Sequence, residues 1–290
     1  MAIDRRGATD ALLLVTAVVA VSTSAPLVRE AAAPALLIAM WRTALGAAAT
    51  APVAARAKAP ATRRERRLVV AAGVVLAAHF ATWISSLSYT SVASAVTLVS
   101  TQPVWAAVFS REPVHRRVWA GIAVAMAGAV AVAGVDLSIS GRALFGDALA
   151  LTGGALAGLY VTIGAQARRT LPTSTYTTGC YAVAALTILA AALIGRVDVI
   201  PRHAATWGWL AAITIGPQLC GHSLINAVLQ RLDPVLVSVS ILFEVVGASL
   251  LAWWWFGERP TGAIYPAAAL LFAGVVLVIS ASRRVAASVD

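Results

Sequence analysis

The sequence predicts an all-α integral membrane protein, with ten transmembrane helices arranged as two inverted five-helix repeats. Three observations predict it. Of the 290 residues, 60% are hydrophobic and only 12% are charged, about half the charged share of a soluble domain and too little polar surface to cover a core of this size. Apolar runs long enough to cross a ~30 Å hydrocarbon layer as helices recur from one end of the chain to the other. The second half of the chain also resembles the first at a nearly constant offset.

Hydropathy and helix breakers place the spans at 11–28, 33–51, 68–88, 91–109, 117–135, 144–166, 175–194, 206–229, 234–256 and 262–281. The first follows Arg5-Arg6 and ends in Ser22-Thr23-Ser24-Ala25, which imitates a cleaved signal peptide. Further spans follow at once, so an uncleaved first helix is expected, and its three hydroxyls can serve a solute or bond back to their own helix. The second span carries Arg42 in ALLIAMWRTALGA. An arginine there binds a substrate carboxylate, or acts structurally on Glu244 or on helix-end carbonyls.

The third span presents His79 and Trp83 four residues apart, on one helical face. The fourth carries Gln102 before Pro103; the proline frees a carbonyl that either lines a cavity or merely marks a kink. The sixth holds Tyr160, and a Gly154/Gly158 pair that suits close helix contact. Cys180 and Cys220, in the seventh and eighth, have neither disulfide nor metal spacing and are expected to be buried packing thiols. His222 and Asn226 again share a helical face in the eighth. Each histidine is either a proton relay or a satisfied packing residue.

The ninth span opens with Asp233-Pro234, a helix start with Asp at the N-cap and Pro at the first helical position. Glu244 lies ten residues beyond Pro234, about 15 Å along a continuous helix and near the bilayer midplane. An ionised group there costs from ~3 to more than ~10 kcal/mol. It must therefore face the bundle interior and find a partner, water or a proton. Ser240, Gly247 and Ala248 share its face. Glu244 either lines a translocation path, contacting a substrate amine or a coupling proton, or is a structural carboxyl, protonated or paired with Arg42. Glu258 falls about 21 Å further on, after Trp253, Trp254 and Trp255, where a helix end and an aromatic belt belong.

Orientation follows from the arginines. With the N-terminus in the cytoplasm, sixteen of the 22 basic residues fall in inner segments, five in outer ones, and Arg42 lies within a span. A missed or extra span would spoil that bias, so both termini are expected in the cytoplasm. The net charge of +10 is then the basic side facing an anionic leaflet, and no folded domain carries it toward nucleic acid.

His79 precedes His222 by 143 residues, Gln102 precedes Glu244 by 142, and Glu112 precedes Glu258 by 146. AGAVAVAG at 127–134 precedes AGVVLVIS at 273–280 by 146. Such similarity marks duplicated units. Five spans per unit is odd, so the second unit must enter the membrane upside down, a construction used by secondary transporters with a site between the halves. The units are expected at 1–137 and 143–284.

WRTALGAA at 41–48, TQPVWAAVFSREP at 101–113 and LFEVVGASLLAWWWFGERP at 242–260 resemble the drug/metabolite transporter superfamily, EamA type. STSAPLVREAAAPALLIAMWR at 22–42 is similar to its first hairpin. The chain departs from the pattern twice: Val245 replaces a proline after Glu244, and Gln102 replaces a first-half glutamate. The resemblance implies a multi-pass protein of the cytoplasmic membrane that exports small amino-acid-like or drug-like solutes by alternating access, with the lipid bilayer, a solute and a coupling proton as partners.

The candidate pathway residues are Glu244, Gln102, Arg42, His79, Trp83, His222, Asn226, Ser240 and Tyr160. No nucleotide loop or metal cluster is readable, so no cofactor is expected. The competing classes are a non-transporting assembly subunit and a membrane-embedded lipid-modifying enzyme. The latter would need acids or histidines clustered near one interface.

Overall fold

This computed structural model describes residues 5–57, 61–90, 92–111, 113–133, 140–257 and 264–286. Every regular element among them is a helix: α1 (Arg5–Ser22), α2 (Ser24–Ala31), α3 (Ala35–Ala54), α4 (Arg63–Ser86), α5 (Val92–Val99), α6 (Gln102–Val108) and α7 (Arg116–Ala133). Then come α8 (Gly141–Arg168), α9 (Thr173–Ile194), α10 (Ala204–Ile213), a π-helical stretch (Thr214–Ser223), α11 (Leu224–Val228), α12 (Pro234–Ile241), α13 (Phe243–Phe256) and α14 (Ile264–Ala286). Among the described residues, six segments are long and apolar enough to cross a membrane: Gly7–Ala31, Ala35–Ala54, Arg63–Ser86, Gly141–Arg168, Thr173–Ile194 and Pro234–Trp255. Leu12, Val15 and Val19 on α1, and Leu186, Leu193 and Ile194 on α9, stand exposed along the outer faces, as lipid contact requires and water would not favour.

Caps set the helix starts. Thr62 and Glu65 form a reciprocal box at α4: Glu65 N donates to Thr62 Oγ1 at 3.2 Å and Thr62 N to Glu65 Oε2 at 2.7 Å. Ser140 caps α8 by accepting from Ala143 N at 3.1 Å. Asp233 caps α12, accepting from Val235 N at 2.8 Å and Leu236 N at 3.2 Å, with Pro234 at the first helical position.

Antiparallel pairs make the core. On α3 and α9, Gly46 lies against Tyr181, and Thr178 Oγ1 donates to Thr50 Oγ1 at 2.7 Å. At one end of α4 and α8, Thr170 Oγ1 donates to Glu65 Oε1. At the other end, Thr90 Oγ1 donates to Asp147 at 2.7 Å and Arg142 to Ser88 O at 2.7 Å. On α7 and α14, Gly121 abuts Val278 while Gly274 abuts Ala125. Small residues at these crossings let the backbones approach, the main source of packing attraction where no hydrophobic drive separates helix from lipid.

Several spans read as continuous are interrupted. The first breaks at Thr23, where Ser22 Oγ bonds back to Val18 O at 2.8 Å and Thr23 Oγ1 to Ala20 O at 2.7 Å. Such back-bonding bends helices. The fourth breaks at Ser100-Thr101, ahead of Pro103, which has no N–H to give. The eighth passes through the π-helical stretch, which contains Pro217.

The ninth span runs as one apolar segment, Pro234–Trp255, as expected, but its helix tightens at Leu242, between α12 and α13, with 3₁₀-type bonds, Leu242 N to Val239 O at 3.2 Å and Val245 N to Leu242 O at 3.1 Å. No proline is needed. Glu244 therefore sits in the first turn of α13.

Trp253, Trp254 and Trp255 are exposed at the end of α13, as an interfacial belt needs. Cys180 is buried as expected, but Cys220 is exposed, because it lies on the outer face of the π-helical stretch. Glu112 and Glu258 lie outside the described residues.

Candidate functional site

The helix interruptions meet at one place. A cavity of about 60 Å³, room for a few water molecules, lies among α1, α2, α4, α5, α6, α8, the π-helical stretch, α11, α12 and α13. Ser24 follows the first interruption, Ser100 and Gln102 flank the second, His222 closes the π-helical stretch, and Leu242 and Glu244 flank the fourth; all of them line the cavity. Irregular backbone at membrane depth is tolerable only where it is buried in protein or lines a cavity.

The carboxyl of Glu244 is half-buried, and no hydrogen bond or ion pair engages it among the described residues. It stands in the first turn of α13, directly after the tightened turn at Leu242. Gly247, one turn on, presses against Ser22 of α1, where any side chain would overlap the Ser22 hydroxyl. The small face therefore serves close helix packing and holds Glu244 at the cavity wall.

Aromatic rings make much of the remaining wall. His79 and Trp83 stack with centroids 6.3 Å apart and an interplanar angle of 3°. The His222 ring lies 5.2 Å from Phe80, 6.3 Å from Tyr160 and 6.5 Å from His79. His79 is held from behind: its Nδ1 donates to Gly153 O at 2.9 Å, which leaves Nε2 as the acceptor of the neutral ring. His222 has no hydrogen bond among the described residues. Trp83 Nε1 is a buried donor without a partner among the described residues, and a group placed in the cavity is the natural acceptor for it.

Gln102 Nε2 donates to Ser238 Oγ at 3.1 Å, tying α6 to α12 across the cavity wall. Tyr160 lines the cavity, and its hydroxyl accepts from Asn226 Nδ2 at 2.7 Å. Asn226 is fully buried behind it. Ser240 is turned elsewhere and bonds to Leu236 O at 2.9 Å.

Arg42 is fully buried and does not line the cavity. The alternative that pairs it with Glu244 is not realised as an ion pair among the described residues. Arg42 Nε donates to Gln218 Oε1 at 2.9 Å, Nη1 reaches Ser24 Oγ at 3.4 Å, and the guanidinium lies 4.1 Å from the centroid of Phe80. Its Nη2 and the Nε2 of Gln218 have no hydrogen-bond partner among the described residues. Glu244 remains within electrostatic range of Arg42, so a positive charge sits behind one wall of the cavity and a carboxyl on another.

Of the nine candidate pathway residues, Glu244, Gln102, His79, Trp83, His222 and Tyr160 line this cavity, and Arg42, Asn226 and Ser240 do not. The sequence reading passed over Gln218, Ser238 and Phe80. A lone amide in the apolar run TIGPQLCGH was the same kind of signal that marked Gln102. Helical spacing from Glu244 favours Ser240, yet it is Ser238 that lines the cavity.

Fold and site together define a multi-pass membrane protein with an internal, largely apolar cavity that carries a few polar side chains. The chain belongs to the EamA-like transporter family, whose model matches residues 9–134 and again residues 144–280, consistent with the drug/metabolite transporter superfamily. Members of this family are transporters rather than enzymes. A solved crystal structure shares 22% identity with a TM-score of 0.75, over 96% of this chain and 99% of that one; at that identity the likeness establishes the fold. No curated protein matches the chain.

Proposed function

We propose that the protein is a secondary transporter that exports small amino-acid-like or drug-like solutes across the cytoplasmic membrane by alternating access. It would cross the bilayer ten times with both termini inside, as two inverted repeats at 1–137 and 143–284. The antiparallel packing of α3 on α9 and of α7 on α14 supports the inversion, since each pair matches one span with its counterpart in the other half.

The observation that carries the proposal is Glu244: an unengaged carboxyl at a cavity wall, in the first turn of α13. Buried ionisable groups in a membrane face a functional path by default. Glu244 alternately takes up a proton and the ammonium of a solute, so that one charge replaces the other. The aromatic faces of Tyr160, Phe80 and Trp83 favour the same cation. Trp83 Nε1, and Arg42 acting through Ser24, favour a carboxylate opposite. A zwitterion of amino-acid size satisfies both walls.

The test is counterflow of radiolabelled amino acids in proteoliposomes under an imposed pH gradient. Glu244→Gln is expected to abolish the pH-dependent part of flux while the protein still inserts and purifies normally. Flux that is unchanged in Glu244→Gln would sink the role of this residue. Absence of flux for every solute in the wild-type protein would count against transport itself.

A further inference from the structure

The cavity is sealed differently at its two ends. Towards the end that carries Arg231, two elements that lead into the cavity are tied by charge. Arg231 Nε donates to both carboxylate oxygens of Asp10, at 2.8 and 3.0 Å, and Nη2 donates to Oδ1 as well. Such a fork on a carboxylate fixes geometry as well as energy. The Asp10 side chain is 11% exposed and that of Arg231 44%, so the pair is only partly open to solvent.

Asp10 lies on α1, eleven residues before Val21, which lines the cavity, or about 16 Å along the helix. Arg231 lies in the connection between α11 and α12, just before α12 carries Ser238 and Ile241 to the cavity. The same connection is anchored on its other side: Arg168 Nη2 donates to Gln230 Oε1 at 3.1 Å, and Arg168 Nε to Asn226 O at 2.9 Å. Segment 229–233 thus bridges α8 of the second half to α1 of the first.

Towards the opposite end lies a second, larger pocket. A vestibule of about 330 Å³ is lined by Val28, Arg29, Ala32, Ile84, Leu87 and Ser88, among others. Val28 is four residues beyond Ser24, Ile84 four beyond Phe80, and Leu87 four beyond Trp83. The vestibule therefore continues the same faces of α2 and α4, about 6 Å further along.

We infer that the Asp10–Arg231 pair is the gate that closes the cavity on the arginine-rich side while the vestibule leads out on the other. This rests on the transport reading and on the orientation proposed above. Because the latch joins α1 to α12, the two must part when that side opens, and breaking the pair shifts the population toward that state.

Thiol labelling tests it without knowledge of the solute. The parent protein carries Cys220→Ala and Ser238→Cys as the reporter in the cavity, and protein with Cys220→Ala alone gives the background from buried Cys180. A membrane-impermeant maleimide is applied to everted membrane vesicles, whose cytoplasmic face is outward. Asp10→Asn is expected to raise the labelling rate of Ser238→Cys about fivefold, the scale of a partly exposed ion pair. Arg231→Gln should do the same, and the double variant should exceed neither. Equal rates in parent and Asp10→Asn, or additive effects in the double variant, would overturn the gate. In right-side-out vesicles, a Ser88→Cys reporter should label more slowly once the pair is broken. If cavity labelling rises while Ser88→Cys is unchanged, the gate stands and alternating access fails.

Discussion

Arg42 shows how a buried cation is held without an acid. Its charge is distributed over Gln218, Ser24 and the face of Phe80, each weaker than a carboxylate but together fixed in direction. Removing the acceptor is therefore costly. Gln218→Leu leaves the Arg42 Nε–H buried and unpaired, which costs about 1.5–3 kcal/mol and is expected to lower the melting temperature by several degrees in detergent. Gln218→Glu places a carboxylate at the same reach and should not lower it. A melting temperature for Gln218→Leu equal to that of wild type would mean the guanidinium finds another partner. Glu244 is the opposite case, a carboxyl with no fixed partner, and only such a group is free to exchange a proton for a solute.

Among the elements, α8 is the one whose glycines position the site. A Cβ on Gly158 would come within 2.7 Å of Ala106 N and 2.9 Å of Gln102 O, closer than real Cβ atoms approach backbone. Gly158→Ala must push α8 away from α6, and with it Tyr160 from Gln102. Overpacking of this kind costs about 1–3 kcal/mol, so thermal unfolding should move down and solute binding should weaken. Gly208 on α10 is the control: nothing lies within 4 Å of its Cβ position, and Gly208→Ala should leave stability within about 1 kcal/mol of wild type or raise it through helix propensity. Equal effects of the two substitutions would mean that close packing at Gly158 is not what holds α6 in place. The interruption between α12 and α13 belongs to this scale too. Val245 stands where a proline was expected, yet the helix still tightens at Leu242 through 3₁₀-type bonds, just ahead of Glu244.

For the whole molecule, the arginine bias makes a statement about sidedness that a labelling experiment reads directly. In a Cys220→Ala background, a cysteine at Ala57, in the connection between α3 and α4, should react with an impermeant maleimide only from the cytoplasmic face. A cysteine at Val197, between α9 and α10, should react only from the outer face. Reaction of both from one face would remove the proposed ten-span topology and, with it, the inversion of the repeats.

The sequence by itself determined that the chain is helical and membrane-embedded, where most helices begin and which intramembrane polar residues stand out. Composition, caps and hydropathy are properties of short windows, so a single chain displays them. His79 and His222, or Gln102 and Glu244, read as counterparts from their near-constant spacing, and the family model matches each half of the chain. Only the tertiary structure decided which of them face a common space. Ser238 and Ser240 differ by two residues and are indistinguishable in composition, but helix rotation sends one to Gln102 and the other back to its own backbone. The Arg42–Glu244 pairing looked natural in sequence because both are rare charges at similar depth. It fails in space because Gln218, 176 residues from Arg42, arrives first at the guanidinium. Pairings of that kind are set by how helices cross, and crossing angles depend on long-range packing that no local window contains.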